Sequence, residues 1–179
     1  MAIDLGSLLQ QYVGGGAPPA NVDEHFDQVA QNASPQDLSK GLAEAFRSDS
    51  TPPFGQMVGQ LFNNANPNQR AGMLTNLIAG LAPTVLSSLA ARGGGTGGGL
   101  GDLLGRLTGG SAQAPAQVTP DQASKMTPEE VSQIAEHAEK ANPGIVDRMS
   151  SFYAEHPQLV KGLGATALAI ALGKMANRS

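Results

Sequence analysis

No cysteine occurs anywhere in the chain, which excludes a disulfide framework and a thiolate zinc site. Aromatic residues make up 4% and charged residues 15%. That charge is too low for a strongly soluble helical array, and the 40% apolar content is too high for a wholly disordered chain. The start Met1-Ala2-Ile3-Asp4-Leu5 lacks the basic region and apolar core of a secretory signal. A cytoplasmic protein is therefore expected.

Positive charge is equally sparse. No Lys or Arg stands next to another, and the net charge is −4. Residues 1–92 hold seven acids and four bases, and residues 118–179 hold seven acids and six bases. Neither part offers the basic stripe that binding to a phosphate backbone needs. Nucleic acid is not expected as a partner.

What the chain does have is helix punctuation. A Ser, Thr or Asn precedes proline at Ser34-Pro35, Asn66-Pro67, Thr119-Pro120, Thr127-Pro128 and Asn142-Pro143. Proline suits the first helical position because its fixed φ matches the helix and its missing N–H would be unpaired there. The preceding side chain can accept a bond from a free amide of the first turn. Ser34…Asp37, Asn66…Gln69 and Thr127…Glu130 also have the spacing of a capping box.

Apolar spacing agrees. Phe54, Met57, Val58, Leu61 and Phe62 recur at helical intervals, as do Met73, Leu74, Leu77, Ile78 and Leu81. Shorter stripes run through Val22, Phe26, Val29 and Ala30, and through Leu38, Leu42, Ala45 and Phe46. Later come Val131, Ile134, Ala135 and Ala138, then Ile145, Met149, Phe152 and Tyr153. No stretch sustains the period-two alternation of a strand. The expected fold is all-α.

The chain also repeats itself. Ser34-Pro35-Gln36-Asp37-Leu38-Ser39 reappears as Thr127-Pro128-Glu129-Glu130-Val131-Ser132. Pro53, Phe62, Pro67 and Gly72 are matched 90 positions on by Pro143, Phe152, Pro157 and Gly162. An internal duplication predicts two small helical modules, with Phe62 and Phe152 buried at matching places. A module of about 60–75 residues buries only about 60% of its unfolded surface. The two are therefore expected to lean on each other or on a second copy of the chain.

Glycine runs divide the chain. Residues 1–19 read as a short helix, with Leu8, Leu9 and Tyr12, before a Gly/Pro linker. Residues 20–92 form the first module. Residues 93–117 are a Gly-rich flexible linker with a short helix carrying Leu100, Leu103, Leu104 and Leu107. Residues 118–179 form the second module, ending in an Ala/Gly-rich apolar helix.

That last segment departs most from an ordinary surface pattern. From Leu159 to Ala176 its only charges are Lys161 and Lys174. Its uncharged part, Gly162 to Gly173, is 12 residues, short of the ~20 a membrane-spanning helix needs. Small residues at helical spacing let helices approach closely. Leu159, Leu163, Ala167, Ile170 and Lys174 are the candidate interaction or packing surface. A buried helix is the first reading, and peripheral membrane contact through residues 157–178 the alternative.

No catalytic constellation stands out. The three histidines each follow a glutamate, as Glu24-His25, Glu136-His137 and Glu155-His156. Adjacent helical positions point about 100° apart, so such a dipeptide makes neither a chelate nor a proton relay. A metal site would need His137 and His156 to converge with Glu155 or Glu136. Gly93–Gly99 has no following Lys-Ser or Lys-Thr, which excludes a P-loop. No cofactor is expected, and the chain is not expected to be an enzyme.

Ile3-Asp4-Leu5-Gly6-Ser7-Leu8-Leu9 before Gly14-Gly15-Gly16 is echoed by Leu100-Gly101-Asp102-Leu103-Leu104 after a glycine run. This pattern, with Leu77-Ile78-Ala79-Gly80-Leu81-Ala82-Pro83, resembles the small glycine-rich bacterial proteins of the YidB-like type. The resemblance covers at most the first 90 residues and implies a helical fold without a defined activity. The sequence points to a non-catalytic helical interaction or assembly protein, with a homo-oligomer or a protein partner.

Overall fold

A computed structural model describes residues 5–13, 18–81 and 117–177. The expected Leu-bearing helix at 100–107 and its flanking glycines lie outside the described residues. Among the described residues all regular structure is helical. The helices are α1 (Leu5–Gln10), α2 (Val22–Asn32), α3 (Pro35–Phe46), α4 (Phe54–Asn64) and α5 (Pro67–Gly80). They continue with α6 (Pro120–Ser124), α7 (Pro128–Ala141), α8 (Ile145–Glu155), α9 (Pro157–Val160) and α10 (Ala165–Ala176). A 3-10 turn, Lys161–Leu163, separates the last two.

Four of the five proline starts behave as the local chemistry dictates. Ser34 Oγ accepts from the Asp37 amide at 3.1 Å, and Asn66, Thr119 and Thr127 cap α5, α6 and α7 in the same way. The box is reciprocal at Asn66/Gln69, Thr119/Gln122 and Thr127/Glu130. At Ser34 it is not: the short Asp37 carboxylate takes the Ser34 hydroxyl at 2.6 Å instead. Asn142 departs from the expectation altogether. It ends α7, accepts from the Gly144 amide and donates to the Gly80 carbonyl oxygen, so α8 starts two residues after Pro143.

The helices pack across the chain rather than along it. α4 lies along α7, and α3 is held between α8 and α10. α5 rests on α6, α7 and α8, while α1 and α2 both rest on α10. Leu38, Leu42, Phe62, Leu74, Ile134, Met149 and Leu168 belong to one buried cluster. Residues on both sides of positions 82–116 thus share a single core.

Two glycines set how close the longest seam can be. A Cβ on Gly59 would lie 2.7 Å from the Pro128 carbonyl oxygen, and one on Gly55 would lie 2.6 Å from that of Ser132. Their i, i+4 spacing puts both on the face of α4 that meets α7. Bare backbone there is what brings the two helix axes together.

The aromatic positions of α8 differ from expectation. Phe62 is fully buried, whereas Phe152 is only half-buried and Tyr153 fills the core. Tyr153 sits 5.7 Å, centroid to centroid, from the Phe46 ring. Burial raises its pKa well above the usual phenol value, and its Oη has no hydrogen-bond partner among the described residues. An unpaired buried hydroxyl costs about 1–3 kcal/mol of desolvation. Tyr153→Phe keeps the ring and removes that cost. Urea titration should show unchanged stability or a gain of about 1 kcal/mol; a loss above 1 kcal/mol would mean the hydroxyl is bonded.

Candidate interaction groove

The C-terminal segment is not one helix. Gly164 adopts φ +86°, a conformation that favours glycine, and it separates Leu159 and Leu163 from α10. The candidate surface therefore divides. Leu159, Leu163 and Ala167 are buried in the chain's own core. Ile170 is half-buried and Lys174 exposed, and both line a groove of about 450 Å³.

The groove lies where the end of α1 meets α10. Tyr12, Val13, Pro18 and Pro19 form one wall and Ile170 and Lys174 the other. Gly173 lets the walls meet closely, since a Cβ there would lie 2.8 Å from the Tyr12 carbonyl oxygen. Below them Leu8 and Leu9 are buried and fasten α1 to the core. Val13 is 54% exposed, the one large apolar side chain so open among the described residues.

Polar contacts fix the Tyr12 ring. Its Oη is 2.6 Å from His25 Nδ1, and the two rings meet edge-on. Asn21 Nδ2 stands 2.9 Å from His25 Nε2. The His25 ring thus bridges the Tyr12 hydroxyl and the Asn21 amide. Burial raises the Tyr12 pKa, which keeps the phenol uncharged. At the other wall, Lys174 Nζ is 3.8 Å from Glu44 Oε2 on α3.

Charged pairs elsewhere cross between helices. Arg47 donates to both carboxylate oxygens of Asp147, at 2.9 and 2.8 Å. That bond lowers the Asp147 pKa and raises that of Arg47. Burial raises the Glu139 pKa, with the Arg47 charge opposing it. Lys161 on the 3-10 turn pairs with Asp27 on α2. Each is a fastening between helices, and exposed pairs of this kind contribute about 0–1 kcal/mol.

The histidines do not come together. His25 is bound to Tyr12, His137 Nδ1 donates to the Gln133 carbonyl oxygen at 2.8 Å, and the His156 ring packs 4.7 Å from that of Phe152. Among the described residues, no group of three or more His, Asp or Glu is placed to hold a metal ion. No helix of the described residues is long and apolar enough to cross a membrane. No protein family, curated protein or solved structure matches this chain.

Proposed function

We propose that the chain is a non-catalytic helical assembly protein that binds a second copy of itself or another protein through the α1–α10 groove. The observation that carries this reading is Val13, 54% exposed, lining one groove with the half-buried Ile170. A single open apolar side chain is ordinary, but apolar residues gathered in a groove with a polar rim are the pattern of a contact surface. The Tyr12–His25 bond orients one wall, and Gly173 against the Tyr12 carbonyl oxygen keeps the two walls close; a surface ordered before binding loses less on association.

The repeat bears on how the chain pairs with itself. Aligned by the repeat, α3 corresponds to α7 and α4 to α8. The α3–α8 and α4–α7 contacts are then one contact made twice, in opposite senses. Gly72 faces the Phe152 ring, and its counterpart Gly162 faces Asn64, two residues beyond Phe62. Such reciprocity is the pattern of two like units paired about an approximate two-fold axis.

Light scattering behind size exclusion tests the groove. The wild type should elute above the mass of one 18.2 kDa chain, or retain a protein partner in a pull-down. Ile170→Glu and Val13→Glu should abolish either association without loss of helical signal. A strict monomer without a partner contradicts the proposal. Flotation with lipid vesicles that Ile170→Glu abolishes would give the groove to a membrane surface instead.

A further inference from the structure

Among the described residues, the extensive contacts of α3 are with α8 and α10, and the most extensive contact of α4 is with α7. Contacts within residues 18–81 are slight by comparison, limited mainly to α4 with α5. Within residues 117–177 they are mostly between neighbours in sequence. Each segment is thus an open clamp that closes only on the other. The chain between them, residues 82–116, is 35 residues and includes Gly93–Gly95 and Gly97–Gly99.

With 35 residues of sequence between the segments, length alone does not dictate which copy supplies the second clamp, since closure cost changes only slowly with length. We infer that residues 18–81 of one copy can close on residues 117–177 of a second, giving an exchanged dimer with two cores of the kind seen in the single chain. The partner is a second copy of this chain, and the surface is the interlocked α3–α8 and α4–α7 faces. Two segments joined in one chain meet at an effective concentration on the order of millimolar at most. Self-closure therefore prevails in dilute refolding, and exchange prevails near and above that concentration. The inference deepens the assembly reading but uses a different surface from the groove.

Two full-length variants test it. Leu61→Asp places a charge in the buried face of α4, and Leu168→Asp does so in α10; both positions are fully buried. Each variant alone should lose its helical signal. Unfolded together and co-refolded, they can still unite the sound first clamp of one with the sound second clamp of the other. The mixture should regain about half of the wild-type helicity and run as a one-to-one dimer. A mixture that merely sums the two unfolded variants overturns the inference.

If either variant folds alone, a wild-type refolding series decides. Refolding from micromolar to millimolar concentration should give a rising dimer fraction that persists on dilution, and monomer at every concentration overturns the inference. The groove reading fails separately. A native dimer that Ile170→Glu dissociates, with no complementation, keeps the groove and removes exchange. Complementation with a native wild type that is monomeric and partnerless does the reverse.

Discussion

Phe62→Ala is expected to destabilise the whole chain by about 3–5 kcal/mol, the range for deleting a fully buried phenylalanine side chain. The ring is fully buried in α4 and has the Arg70 guanidinium 5.1 Å above it, while Arg70 Nε also donates to the Phe62 carbonyl oxygen. A typical domain is stable by only about 5–15 kcal/mol. Because α4 lies along α7, the loss cannot be confined to residues 18–81. Urea titration followed by circular dichroism should show one transition at a lower midpoint. Two transitions, with the second at the wild-type midpoint, would show that the segments fold apart.

Gly59→Ala is expected to be destabilising, and here two opposing terms can be compared. In an exposed helix the substitution gains about 1 kcal/mol from helix propensity. In α4 the new Cβ would stand 2.7 Å from the Pro128 carbonyl oxygen, a backbone atom that cannot swing aside. Overpacking of this kind costs about 1–3 kcal/mol and occasionally more. The seam should win, with a net loss of about 1–2 kcal/mol in thermal or urea unfolding. A gain in stability would show that α4 and α7 are further apart than described.

The sign of that result also shows where sequence reading stops. Helix starts were legible at Ser34, Asn66, Thr119 and Thr127 because a cap is made within four residues of chain. The buried faces were legible for the same reason: Phe54, Met57, Val58, Leu61 and Phe62 declare a face by their spacing. Which helix that face meets is a long-range property, and periodicity is silent about it. Gly55 and Gly59 read as weak helix formers until α7 is placed against them. Asn142 looks like a cap until its side chain is seen reaching the Gly80 carbonyl oxygen.

Phe152 and Tyr153 illustrate a finer limit. Both satisfy the spacing from Ile145 and Met149, and adjacent positions differ by about 100° around the helix. Tyr153 is the one that enters the core, where its ring meets that of Phe46 on α3, a long-range contact that spacing does not show. The groove was half legible. Ile170 and Lys174 belong to an Ala/Gly-rich stretch that stands out by composition, but the break at Gly164 does not. Tyr12 and His25 lie 13 residues apart across a Gly/Pro segment, and nothing local pairs them.

Hydrogen exchange on the wild type and on Phe62→Ala tests the central claim, that the two segments close on each other as one core. Peptides from α4 and from α8 should lose protection by the same factor in the variant. They belong to opposite segments of one buried cluster and should open together. Lost protection in α4 with unchanged protection in α8 would contradict the interlock.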